Sequence, residues 1–141
     1  MIKHGDRLTA VSGVSLFQGL SKADLKRVLK EFEEQSFSEG QTIVAEGQSG
    51  GRFYVVLNGR VDVVIGGKKK KQLSSGASFG EMSLIDSQPR SATVIAATHV
   101  DTLAIASWNF LALLEENFTI TKKVMGQLTK RVRELDKALT D

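Results

Sequence analysis

From residue 40 to residue 80 the chain is broken by glycine at positions 40, 47, 50, 51, 59, 66, 67, 76 and 80, so no stretch between two of them exceeds eight residues. Glycine inside a helix costs about 0.5–1 kcal/mol relative to alanine, and a helix this short has little cooperativity to set against that cost. Helices of ordinary length are therefore excluded here. What lies between the glycines is β-rich: Arg-Phe-Tyr-Val-Val-Leu at 52–57 and Arg-Val-Asp-Val-Val-Ile at 60–65. Asn58-Gly59 between these two runs predicts a hairpin, because both central positions of the favoured turn need φ > 0. Gly66-Gly67 predicts a second turn before Lys-Lys-Lys-Lys-Gln-Leu at 68–73. Residues 91–97 and 100–106 read as another strand pair broken at Thr98-His99. Short strands with closely spaced turns build a sandwich or barrel.

Both flanks are helical. Ser21, followed by Lys22, Ala23 and Asp24, makes a short capping pattern, with Leu20 and Leu25 placed to staple across it. Leu25, Val28, Leu29 and Phe32 then recur at helical spacing, which predicts a helix over 21–34. After Ser107 the helical period returns, first over 107–117, with Trp108 as its expected core anchor, then over 118–139 without an internal proline. The layout is α+β in one domain, with a helical segment at 1–34, a β-roll at 35–106 and helices at 107–141. Met125, Leu128, Val132, Leu135 and Leu139 follow a 3-4-3-4 spacing, which suits either a homodimer seam or a face packed on the β-roll.

Composition removes several classes of function. The chain has no cysteine, so neither disulfides nor thiolate metal sites can form. His4 and His99 are its two histidines, too few and too scattered for a histidine-rich metal centre or a metal-dependent enzyme. Net charge is +3, and the one lysine run lacks interleaved aromatics, so direct nucleic-acid binding is not expected. The first ten residues lack the apolar core of a signal peptide, and no apolar run approaches the length of a membrane span. These features together predict a cytoplasmic protein.

The chemistry is concentrated in Phe-Gly-Glu-Met-Ser-Leu-Ile-Asp-Ser-Gln-Pro-Arg-Ser-Ala-Thr-Val, residues 79–94. Gly80 permits close approach to the backbone. Residues 81–85 can form one helical turn whose free N–H groups favour an anion. Arg90 offers a planar fork of donors suited to phosphate oxygens. Pro89 stiffens the segment before it. Glu81 is a pure acceptor, suited to sugar hydroxyls, and Ser91 adds a hydroxyl. The set describes a sugar phosphate with a free ribose hydroxyl, against the plainer reading of Glu81 and Arg90 as a solvated ion pair.

This stretch resembles the phosphate-binding cassette of the cyclic nucleotide-binding domain family, to which catabolite activator proteins and protein kinase A regulatory subunits belong. Residues 16–21, 36–47 and 53–64 are similar to that family's flanking segments, so the resemblance covers nearly the whole chain. It implies an antiparallel double-stranded β-helix (a jelly-roll β-roll of eight strands) flanked by N-terminal and C-terminal helices, and a non-catalytic regulatory module with cyclic AMP or cyclic GMP as ligand. By the same resemblance, Glu81 would bind the ribose 2′-hydroxyl and Arg90 the cyclic phosphate. Backbone groups of Gly80, Met82 and Ser91 or Ala92 would complete the cradle, and Val63 would line the base pocket. Arg131, Arg133 or Leu135 would cap the base. Ser91 favours cyclic AMP, although its hydroxyl also suits guanine. Two departures stand out: Gly50-Gly51 where the family often has Gly-Asp, and Ser75-Gly76 where it often has Pro-Gly. An interaction scaffold on the same fold is the alternative function. In either case the output would pass to an effector domain or partner protein.

Overall fold

A computed structural model describes residues 4–86 and 88–140. Helix α1 (His4–Ser12), a 3-10 turn (Ser15–Phe17) and helix α2 (Lys22–Leu29) precede the strands. The strands are β1 (Glu33–Phe37), β2 (Thr42–Val44), β3 (Arg52–Asn58), β4 (Val61–Ile65), β5 (Lys68–Leu73), β6 (Ser78–Phe79), β7 (Thr93–Ala96) and β8 (Val100–Ala106). A single helical turn, α3 (Ser83–Asp86), separates β6 from β7, and α4 (Ser107–Glu116) and α5 (Phe118–Thr140) follow β8. The strands form two antiparallel four-stranded sheets, ordered β1-β8-β3-β6 and β2-β7-β4-β5. This is the α+β β-roll with helices at both ends that the sequence implied.

The pairings differ from the local hairpin reading. β3 and β4 lie in opposite sheets, as do β7 and β8, so neither Asn58-Gly59 nor Thr98-His99 closes a hairpin. Both are corners where the chain crosses between sheets, and the corners brace each other. Arg60 N donates to Thr98 Oγ1 at 3.0 Å, and Ala97 N donates to Arg60 O at 2.9 Å. Gly59 has φ +91°, and a Cβ there would overlap the His99 carbonyl. Position 59 is thus glycine for closeness as well as for conformation. The hairpin in this region is the one between β4 and β5, where Gly66 (φ +58°) and Gly67 (φ +78°) fill both turn positions. Near the same corner Ser36 and Asn58 donate to the Asp101 carboxylate at 2.7 and 3.0 Å. Hydrogen bonds from Ser36, then Asn58, hold that carboxyl below its usual range. The brace is therefore complete above the ordinary carboxylate range and lost as pH falls through the lowered value.

Two cores explain the uninterrupted apolar runs. Phe53 and Val55 on β3, and Leu103 and Ile105 on β8, face the helices and join Val11, Phe17, Val28, Phe110, Ile120 and Val124. Alternate residues face the other way, so Val56 and Val100 meet Val61, Val63, Val94 and Ala96 inside the roll. β3 is thus buried on both faces, which is why it lacks a polar alternation. The core of the helical side is aromatic: Phe17 lies 6.0 Å from Phe110 and 6.4 Å from Phe32, ring to ring.

At α2 the expected cap is present: Ser21 Oγ accepts from Asp24 N at 3.1 Å. The helix, however, ends at Leu29, and Glu33 already pairs with Ala104 of β8. The apolar spacing is still satisfied, because Val28 and Leu29 reach the core from the end of the helix and Phe32 from the turn that follows it. The sequence Glu-Glu-Gln is a poor strand former, and edge pairing with β8 imposes the conformation. The boundary expected at 34–35 consequently falls inside β1. Trp108 is also corrected. It is 59% exposed, with the Arg52 guanidinium 5.7 Å above its ring, and Phe110 and Leu113 anchor α4 instead.

Candidate functional site

The cassette folds around Gly80. This residue has φ +87°, and a Cβ on it would overlap the Arg90 guanidinium and stand 2.8 Å from the Arg52 carbonyl oxygen. The close approach that Gly80 permits is therefore made by Arg90 itself. Past Gly80 the chain turns into α3, with Leu84 N donating to Glu81 O and Ile85 N to Met82 O, each at 3.2 Å. The second half of the cassette is pinned by main-chain bonds. Arg90 N donates to Gln48 O and Gly47 N to Arg90 O, both at 2.8 Å, and Pro89 bridges to Ser49.

Arg90 is 9% exposed. Its Nη2 donates to the Arg52 carbonyl, and it makes no ion pair among the described residues. Burial draws it below the usual arginine range, opposed in part by Tyr54. An arginine nonetheless stays charged. Burial also raises the Tyr54 phenol, against the smaller pull of Arg52 and Arg90, so no phenolate neutralises the guanidinium. Tyr54 is fixed by stacking on Phe79, with ring centroids 5.1 Å apart. A buried cation without an ion-pair partner among the described residues has the charge to suit an anion.

Glu81 does not pair with Arg90. Its Oε1 accepts from Arg131 of α5 and, at 3.3 Å, from Ser15 Oγ, while Arg131 also donates to Ser15 Oγ. Oε2 has no partner among the described residues and remains open to a hydroxyl donor. One carboxylate thus ties the cassette to the last helix and to the 3-10 turn, and keeps an acceptor free.

These groups surround a cavity of about 450 Å³, within the range of small-molecule sites. Gly80, Glu81, Met82 and Arg90 line it, as do Ser91, Ala92 and Val63. The structure therefore brings together all seven residues expected to contact a ligand. Val44, Leu73 and Val94 extend the apolar floor beside Val63, and Lys71 stands at its edge. Sequence reasoning missed Val44, Leu73, Val94 and Lys71, along with the Arg52 carbonyl and Ser15. Among the described residues no group of three His, Cys, Asp or Glu side chains is placed to hold a metal ion. No helix among them is long and apolar enough to cross a membrane.

Residues 34–117, more than half of the chain, match the family model for the cyclic nucleotide-binding domain. The chain belongs to the cyclic nucleotide-binding domain family. It is 33% identical over 126 residues to a cAMP-dependent protein kinase regulatory subunit of Candida albicans, covering 89% of this chain and 27% of that protein. It is 30% identical over 143 residues to a cGMP-dependent protein kinase of Plasmodium berghei, covering 93% of this chain and 17% of the kinase. The crystal structure of the Thermus thermophilus catabolite activator protein superposes with a TM-score of 0.70 at 30% identity, over 90% of this chain and 62% of that one. The chain thus spans less than two thirds of each of these relatives.

Within this domain the three candidate base-capping residues part company. Arg131 holds Glu81, while Arg133 and Leu135 are exposed on α5, and none of the three lines the cavity. The apolar seam is likewise placed. Helix α5 packs on the domain through Ile120, Val124 and Leu128, whereas Met125, Val132, Leu135 and Leu139 are exposed. Of the five seam residues, Leu128 alone packs on the domain.

Proposed function

We propose that the domain is a non-catalytic, cytoplasmic sensor of a cyclic mononucleotide. Cyclic AMP is the ligand that Ser91 favours, and cyclic GMP is the alternative. One observation carries this reading: a buried arginine without a carboxylate partner, in a cavity that also holds an open carboxylate oxygen. Arg90 would bind the cyclic phosphate and Glu81 Oε2 the ribose 2′-hydroxyl, with the base over the apolar floor. The names of the relatives, a cAMP-dependent kinase regulatory subunit and a cGMP-dependent kinase, support the ligand class.

The same carboxylate gives the site a route to an output. Ligand binding at Glu81 orders the group that Arg131 and Ser15 already hold, so occupancy favours the docked position of α5. The shift is limited to the difference in ligand affinity between docked and undocked states. Amide exchange on α5, with and without cyclic AMP, tests this coupling. Slower exchange around residues 124–135 is expected on binding, and less of it in Arg131→Ala. Identical exchange in both states would remove the coupling while leaving binding itself intact.

The effector that reads α5 is a partner protein or another domain. The exposed residues Met125, Val132, Leu135 and Leu139, spaced seven, three and four apart along one helix face, suit a second copy of the chain. Sedimentation should show a monomer–dimer equilibrium that Leu135→Asp shifts to monomer. A single species at every concentration, unaffected by that change, would reject the dimer.

A further inference from the structure

We infer that the domain has a second ligand site, among α1, α2 and β8, which takes a small anionic amphiphile: one acidic head group on a short apolar tail. The site shares no residue with the nucleotide cavity and does not depend on the cyclic-nucleotide reading.

A cavity of about 420 Å³, within the range of small-molecule sites, is lined by Arg7, Lys26, Leu29, Lys30, Phe32 and Leu103. The lining divides by chemistry. Leu29, Phe32 and Leu103 are core residues, each less than a tenth exposed, and they make an apolar floor. Arg7 on α1, Lys26 on α2 and Lys30 just past its end add three cations. The acids on the adjoining segment are already engaged. Glu34, opposite Leu103 in the β1–β8 ladder, accepts from Arg7 Nη2 at 2.6 Å, and Glu31 accepts from Arg27 Nη1 at 2.9 Å. Lys26 and Lys30 make no ion pair among the described residues.

Stability of the fold does not account for this ring of charge. A cation near the end of α2 suits the helix dipole, but two lysines four residues apart repel each other on one face. Arg7 Nε is shut off from solvent and has no acceptor among the described residues. A buried donor left in that state is costly, so the guanidinium gains by turning to an oxyanion in the cavity. The cations set the charge of the head, and the floor sets the nature of the tail. A wholly polar anion would leave the floor wet, and a neutral hydrocarbon would leave the cations unanswered.

The test is calorimetric titration of the whole chain with octanoate, hexanoate and octanol, in wild type, in the double variant Lys26→Gln/Lys30→Gln and in Arg7→Gln. Octanoate should bind saturably and about tenfold more tightly than hexanoate, which is two methylenes shorter. Octanol, which keeps the tail without the charge, should bind about tenfold more weakly than octanoate, and each variant should weaken octanoate by a similar factor. Saturating cyclic AMP should not displace octanoate. No saturable octanoate binding to wild type, unchanged affinity in both variants, or displacement by cyclic AMP would overturn the inference. Phosphatidylglycerol vesicles test whether the head is read on a lipid surface instead: binding to them without binding of free octanoate would also overturn it. Octanoate binding by a protein that takes no cyclic nucleotide would leave this site standing and the nucleotide reading refuted.

Discussion

Arg90→Met should cost the domain its affinity for cyclic nucleotides and leave the ligand-free fold at least as stable as the wild type. The binding loss follows from the charge. Each hydrogen bond from a guanidinium to a phosphate oxygen is worth about 1.5–3 kcal/mol, or roughly tenfold to a hundredfold in affinity. The stability gain follows from the same charge. Arg90 is buried, and its cation is answered by one carbonyl dipole rather than by an acid. A thioether chain of similar length removes the buried charge and fills the space beside Gly80, the kind of exchange that is often neutral or stabilising. Paired melting and calorimetry experiments should therefore move in opposite directions. A variant that binds as tightly as wild type would refute the assigned role, and one that melts well below it would show that Arg90 holds the fold.

Gly80→Ala should lose both properties at once. The left-handed conformation at φ +87° costs a non-glycine residue about 1–2 kcal/mol. The new methyl would also overlap the Arg90 guanidinium and crowd the Arg52 carbonyl, so the arginine must leave the position that faces the cavity. The melting temperature should fall, and affinity should drop as far as in Arg90→Met. Gly76→Ala is the control, because Gly76 has φ +90° and a Cβ added there would meet no atom within 4 Å. It should lose similar stability and keep its binding. Equal affinities for the two alanine variants would show that Gly80 serves conformation alone.

The contrast between these two positions shows what the sequence could reveal. The cassette is legible because its chemistry is local. Gly80, Glu81, Pro89, Arg90 and Ser91 lie within twelve residues, and each side chain has a capability that does not depend on the fold. Long-range facts are not legible. Arg131 and Ser15 reach Glu81 from positions 50 and 66 residues away, and no local pattern marks that pairing. Asn58-Gly59 carries a true turn signal, but a turn does not say which sheet the next strand will join. In this roll the answer lies in the braced corners. The stretch 30–35 misleads because helical spacing continues through Phe32, while the strand that follows it exists only through β8. Lys71 is hidden by a one-residue bulge between Val63 and Val64, which decides which lysine of the run reaches the cavity.

In the proposed function, an unpaired guanidinium and a half-engaged carboxylate together hold a cyclised nucleotide. The most direct test is calorimetric titration of the wild-type protein with cyclic AMP, set beside 2′-deoxy cyclic AMP. Saturable one-to-one binding of cyclic AMP is expected in the micromolar range, about −8 kcal/mol, with a clear loss for the 2′-deoxy compound. Absence of heat with both cyclic AMP and cyclic GMP at millimolar concentration, from protein that melts cooperatively, would contradict it.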